Sequence, residues 1–342
     1  MKMFHLRGTA LSLDIPSVVS LLNEIEQLKG KTACIADMKK VDFLKEIAKV
    51  SGTLASNAIG NVYVADEREK PLFAKGGTAK NPQEGWVLGY RNALDLIDEV
   101  YATQELDRSF ITTLHYYIYK DVSPDFGGKY KDTQNYIQES DGQGGFRTIF
   151  VSAAPERVIP LLDNLVYQFN ECAKDEKINK LVLIAAFMLD FMCIHPYNHG
   201  NGRVSRLLFH FLTKKFGYDI DDYFALPYLM KLHLGEYIDS FKASTEGWYD
   251  DENNYEPFVT FILSRIVEGY RKLEYIIMMN SLDMNIRGKV YKTIADSATP
   301  ITKKVILRVL FPHSKATIED ALNRLLGDGA IRLVNSKYYS IN

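Results

Sequence analysis

Cysteine is scarce in this chain. Cys34, Cys172 and Cys193 stand far apart, with no CxxC pair or other metal-ligand spacing. That excludes a disulfide framework and a thiolate zinc site, and leaves three core or neutral thiols in a reducing compartment. A long apolar run is missing too: the longest, Leu181 to Ile194, is too short to span a bilayer and contains Asp190, so it reads as a buried helix. Met1 to Leu11 has neither the apolar stretch nor the small-residue cleavage site of a secretion signal. A cytoplasmic location without a membrane partner is the expectation. Charge of one sign is absent as well, with 41 Lys+Arg against 43 Asp+Glu and a net charge of −2, which gives no whole-chain attraction to nucleic acid or lipid. No internal repeat, heptad run or low-complexity tract interrupts the chain.

What is present is ordinary globular material: 342 residues, 46% hydrophobic and 25% charged, enough for two or three domains. Helical periodicity dominates. Val18, Leu21, Leu22, Ile25 and Leu28 keep a three-to-four spacing, as do Phe43, Leu44, Ile47, Leu54 and Ala58, which predicts two N-terminal helices. A polar section around Ala74 to Glu84 precedes a periodic run from Tyr90 to Val100, and Ser109 to Tyr119 reads as another helix. Pro124 to Gly145 reads as a long loop of the kind that often carries function, and Phe146 to Val151 as the single strand before the C-terminal segment. Helices follow from Ala154 to Cys172, over the Leu181 to Ile194 run, and through Ile277.

Charge changes at the end of the chain, where residues 285–342 hold ten Lys+Arg against four Asp+Glu. Lys289 to Ser297 and Ile301 to Leu310 predict two short helices, and Ser314 caps a third whose apolar face is Ile318, Leu322, Leu325 and Leu326. Ile331 to Val334 and Tyr338 to Ile341 pair as a wing around Asn335-Ser336, giving a winged helix-turn-helix. DNA binding through phosphate neutralisation is open to it. Glu319 and Asp320 on the third helix would face phosphates, however, so protein contact or homodimer formation is favoured over DNA.

The chemistry is concentrated in His195-Pro196-Tyr197-Asn198-His199-Gly200-Asn201-Gly202-Arg203-Val204-Ser205-Arg206. The glycines let successive backbone N–H groups converge, and a helix beginning near Gly202 adds the positive end of its dipole. Arg203 and Arg206, three apart, share a helix face and can grip one polyphosphate. His195 has an imidazole suited to proton abstraction near neutral pH.

This segment resembles the signature of the Fic family, HPFx(D/E)GNGRxxR, with Tyr197 in place of Phe and His199 in place of the acid. The resemblance covers roughly residues 15 to 275. It implies a mainly α, all-helical Fic fold with a small β-hairpin flap, followed by the winged helix-turn-helix. The corresponding domains are 1–105 (N-terminal helical region), 106–280 (catalytic) and 285–342 (winged helix). The implied activity is protein adenylyltransfer: His195 deprotonates a Ser, Thr or Tyr hydroxyl of a target protein, or of the chain itself, and AMP passes to it from ATP. His199, Gly200, Asn201, Gly202, Arg203 and Arg206 hold the nucleotide, Tyr237 meets its base, and Thr148, Ile149, Phe150 and Val151 form the flap that docks an extended target segment by strand addition.

Two departures from the family pattern matter. His199 stands where the family places its magnesium ligand, and an imidazole suits that hard cation poorly, so manganese or a softer ion is expected to serve better than magnesium. Ser56-Asn57-Ala58-Ile59-Gly60-Asn61 resembles the inhibitory motif [S/T]xxxE[G/N], with Gly60 where the blocking Glu belongs, which implies that Arg206 is free and this brake absent. Gly60-Asn61 also has the composition of a plain helix C-cap. The alternatives are transfer of another nucleotide through the same loop, or an ATP-sensing DNA-binding regulator with little or no transferase activity.

Overall fold

The computed structural model describes residues 6–38, 41–140 and 144–341. Residues 1–5 of the Met1 to Leu11 start and 141–143 of the expected Pro124 to Gly145 loop lie outside them. The chain begins with α1 (Leu6–Ser12), α2 (Pro16–Thr32), a 3-10 turn at Ala33–Asp37, and α3 (Val41–Ile59). Next come α4 (Asp66–Phe73), α5 (Pro82–Val100) and α6 (Arg108–Tyr119), then a hairpin of β1 (Tyr136–Ser140) and β2 (Phe146–Val151). The main unit continues with α7 (Val158–Ala173), α8 (Lys180–Ile194), α9 (Asn201–Lys215), α10 (Ile220–Tyr223), α11 (Leu226–Leu232), α12 (Leu234–Thr245) and α13 (Glu256–Ser281). The last segment holds α14 (Ile286–Ala295), β3 (Ile301–Thr302), α15 (Lys303–Val309), α16 (Lys315–Gly327), β4 (Ile331–Val334) and β5 (Lys337–Ser340).

The fold is mainly helical, and α8 is its hub. Every residue from Leu181 to Ile194 is buried, because α7, α9, α12 and α13 surround the helix. Its one acid, Asp190, is satisfied inside that core by the Trp248 indole N–H at 2.8 Å and the Tyr255 hydroxyl at 2.9 Å. Among the described residues no helix is long and apolar enough to cross a membrane. The main apolar core runs from Leu6 to Ile276 and takes in Phe311, without a break at residue 105, since α2 packs along α13 and α3 against α11.

Several elements differ from the sequence expectation. The helices α1 and α4 were not anticipated, and α5 starts at Pro82 rather than Tyr90 because Asn81 caps it, accepting from the Glu84 N–H. β1 lies inside the stretch expected to be loop. Its residues pair antiparallel with β2 from Tyr136↔Val151 to Ser140↔Phe146, and an irregularity at Ile137/Gln138 leaves Ile149 without an opposite residue. Five residues of mixed polarity between Gly-rich flanks carry no period of their own; pairing makes them a strand.

The C-terminal segment has a second core built on Val290, Ile294, Ile306, Leu322 and Tyr338. Its strands form an antiparallel sheet in the order β3-β5-β4, and Asn335 and Ser336 both take positive φ in the β4–β5 turn. Ile301 and Thr302, expected to open a helix, instead pair with Tyr338 and Lys337. No linker separates the two cores: Ile276 belongs to the first and Met279 to the second, one turn apart on α13.

Candidate active site

The His195–Arg206 segment joins α8 to α9 at a cavity of about 820 Å³, walled also by the end of α3, the hairpin and α12. His195 ends α8 with a left-handed backbone (φ 52), which turns its ring away from the apolar hub. Its Nδ1 lies 3.2 Å from the Met192 carbonyl. A carbonyl only accepts, so Nδ1 bears the proton and Nε2 keeps its lone pair. Burial, with the charges of Lys131 and His199 acting the same way, pushes the ring down to about 4, so it is neutral at pH 7.

The loop after His195 is closed by its own side chains. Asn201 accepts from the Tyr197 N–H at 2.9 Å and donates to the Tyr197 carbonyl at 2.6 Å. Its side chain is therefore committed to loop shape, and Asn201 faces the cavity through its backbone. Gly200 sits at φ 82, and a Cβ there would come within 2.9 Å of the Tyr119 hydroxyl, so only glycine fits. From Gly200 the N-terminus of α9 points its free N–H groups and positive dipole end at the cavity.

Two groups behind the loop carried no sequence signal. His115 on α6 receives the Gly128 N–H at Nδ1 and donates from Nε2 to the His199 carbonyl, each at 2.9 Å, while its ring stacks on Tyr197 at 3.7 Å. Burial pushes this imidazole down to about 4, which keeps it the neutral one-donor, one-acceptor form that this arrangement needs. Lys131, buried and pushed down to about 8 by that burial, donates to the Ser152 hydroxyl at 2.9 Å and the Ile194 carbonyl at 3.0 Å. His115 is spaced like an ordinary core position and Lys131 sits in a stretch read as loop, so only the closed fold identifies them.

Both arginines are buried and committed. Arg203 donates to the Tyr119 hydroxyl at 2.5 Å and to Asn57 at 3.4 Å, beneath the rings of Tyr119 and Trp86. Arg206 donates from Nε to the Ser56 hydroxyl and from Nη2 to the Ser56 carbonyl, both at 2.8 Å. Burial works against both charges, and the groups that act on them are tyrosines and, for Arg206, Arg203, with no carboxylate among the described residues. Gly60 and Asn61 line the mouth of the cavity. The left-handed residue that ends α3 is Asn61, so Gly60 is not there to meet a backbone demand.

The remaining expected residues divide. Tyr237 lines the cavity, yet its hydroxyl meets Arg206 and its ring packs against Phe258 and Phe261. It stands beside the arginine on the cavity wall. His199 is exposed at the mouth, edge-on to Phe126 at 5.5 Å. Thr148, Ile149, Phe150 and Val151 line a second groove of about 510 Å³ along β2, closed on the far side by α12. Within it Phe150 is an anchor, buried against Phe241, Trp248 and Tyr249, and the Val151 carbonyl accepts from Tyr249 at 2.9 Å. Those two residues hold the hairpin down, which leaves Thr148 and Ile149 to meet anything lying along it.

Among the described residues Glu139 is the single carboxylate lining the cavity, and Arg147 and Lys242 hold it. The exposed imidazole of His199 is one nitrogen donor where a hard cation requires oxygens.

Residues 105–213 match the Fic/DOC family. That segment is a Fic/DOC domain. It spans α6 to α9 and so contains the hairpin, the His195 loop and both arginines. None of the curated proteins matches the chain. Among solved structures, a Fic family protein from Desulfovibrio desulfuricans is similar at 16% identity over 96% of each chain, with a TM-score of 0.61. A Fic-domain signalling protein from Bacteroides thetaiotaomicron is similar at 21% identity over 73% of this chain and 95% of that one, also at 0.61. Fic-1 from C. elegans is similar at 17% identity over 77% and 74%, at 0.57. At these identities the likeness is one of fold.

Proposed function

We propose that the protein transfers AMP from ATP to a hydroxyl group of a protein, in a target or in itself. The reading rests on one juxtaposition: a neutral His195 with its Nε2 lone pair at a cavity into which the N-terminus of α9 points, beside a guanidinium, Arg206, that no carboxylate among the described residues neutralises. The hydroxyl oxygen attacks the α-phosphorus, the bond from that phosphorus to the bridging oxygen breaks, and pyrophosphate leaves. His195 Nε2 takes the hydroxyl proton. The α9 dipole and the backbone N–H groups of Gly200 to Gly202 stabilise the phosphate charge, and Arg206 meets the outer phosphates. Arg203 supports the wall through Tyr119. No step runs through a metal, and we expect manganese to serve no worse than magnesium.

The target strand is read as lying in the groove beside β2, where Thr148 and Ile149 are available. A second reading, an ATP-sensing regulator that binds without turnover, is favoured by the absence of a metal-holding carboxylate; the C-terminal segment, read as a winged helix, would then carry the output. Intact mass of the purified chain after incubation with ATP and either metal separates the two. A gain of one AMP that disappears in His195→Ala supports transfer; ATP binding with no gain under any condition overturns it in favour of the sensor. A gain of a different mass with another nucleoside triphosphate would redirect the reading to that nucleotide.

A further inference from the structure

A second cavity, of about 650 Å³, lies where α11 and α13 of the main unit meet α14 and α15. It shares no lining residue with the nucleotide cavity. Arg308 of α15 reaches into it, 9% exposed, with its guanidinium 3.9 Å over the Phe224 ring and one nitrogen donating to the Tyr223 carbonyl. Among the described residues no carboxylate pairs with it, and its buried Nε has no hydrogen-bond partner. From α13, Arg265 presents a buried Nε and Nη1 that also lack one, although Nη1 lies 3.0 Å from Glu268 out of hydrogen-bond alignment.

The local charge is unbalanced. Glu268 is shared by Arg265, by Lys272 at 3.2 Å and by His233 at 3.2 Å, while Arg308 has no acid of its own. The other acids on the wall, Glu24 and Asp296, are held by Arg271 at 2.6 Å and Lys292 at 2.9 Å. Buried guanidinium donors are normally satisfied, so two arginines that carry unmet ones and line the same cavity call for an explanation. Tyr228 and Val305 supply apolar wall around them.

We propose that this junction binds a small organic anion, with its carboxylate, sulfonate or phosphate group on Arg308 and Arg265 and a flat or apolar body against Phe224 and Tyr228. The ligand would touch both cores at once. Binding would therefore fasten the C-terminal unit to the main one and raise the temperature at which they separate.

Anilinonaphthalene sulfonate, an anion with a flat apolar body, is a direct probe. Titrated into the full chain and followed by fluorescence and calorimetry, it is expected to fill one saturable site. Arg308→Met should weaken it about tenfold or more by removing a charge-assisted contact. Val305→Trp should do the same by filling the space with every charge kept, whereas His195→Ala should leave binding unchanged. Circular dichroism establishes that each variant is folded; if Arg308→Met is not, Val305→Trp decides alone. No saturable binding, or wild-type affinity in the cavity-filling variant, overturns the proposal.

Discussion

At the scale of single residues, position 60 is the most informative test. Gly60 has an ordinary backbone, and a Cβ there would sit 3.5 Å from the Asn57 carbonyl, a normal contact, so a side chain can be added without strain. Gly60→Glu would place a carboxylate at the mouth of the cavity that Arg206 also lines, in competition with the outer phosphates. We expect AMP incorporation to fall by about tenfold or more, the effect of one charge-assisted contact, with the melting temperature unchanged. Undiminished incorporation would mean that Arg206 does not hold the leaving phosphates. Much of this site was legible in the sequence because its residues are contiguous: one loop brings His195, the glycines and both arginines together. What the sequence withheld came from other elements. Trp86, Tyr119, His115 and Lys131 lie far from the loop along the chain, and Asn201 and Tyr237 have types that suit a ligand as well as they suit packing.

At the scale of elements, α3 and α9 matter most, because the first carries Ser56 and the second both arginines. Below the site they are tied by a charge cluster. His210 on α9 lies 2.7 Å from Asp221 and 3.3 Å from Asp98, and Lys214 bridges Asp98 at 2.7 Å and Asp222 at 3.0 Å. Lys49 of α3 joins at 2.6 Å from Asp98. These carboxylates are filled by protein cations, so the cluster works as a clasp. Burial opposes the charge on His210, but Asp221 and Asp98 outweigh it and raise the ring to about 9. A raised pKa means that the charged form stabilises the fold, a contribution fully present below the ordinary value near 6.5 and lost as pH rises through about 9. We expect urea unfolding between pH 6 and pH 10 to show a loss on the order of a few kcal/mol, with His210→Phe abolishing that slope. A slope unaltered in the variant would assign it to other groups. Helices with a clear apolar stripe, such as α6, were readable from spacing, and α8 from its apolar run. β1 was not, because its partner strand, and not its composition, makes it a strand.

At the scale of the whole molecule, the excess of positive charge sits in the C-terminal segment, ten Lys+Arg against four Asp+Glu. Its distribution argues against nucleic acid. On α16, Arg324 lies 3.0 Å from Asp320, and Glu319 is held by Lys303 at 2.7 Å and approached by Lys315 at 3.8 Å, so the basic groups are partly neutralised. A gel-shift series with short duplex DNA should therefore show no retardation near 150 mM salt, the range in which specific binders remain bound. A retarded band with a steep salt dependence would favour the regulator. The turn at Asn335-Ser336 and the cap at Ser314 were readable because turn and cap chemistry is local. The seating of this unit on the main core was not, since Phe311 and Arg308 look like ordinary helix-end residues until they reach Phe43 and Tyr223.

The absence of a linker has a mechanical meaning. Because α13 carries side chains of both cores within a single turn, its last turn is part of both units, and residues 282–285 alone lie between it and α14. Phe258 and Phe261, further back on the same helix, pack against Tyr237, whose hydroxyl meets Arg206. A torque applied to the C-terminal unit is thus felt by the helix that backs Tyr237 and, through it, Arg206.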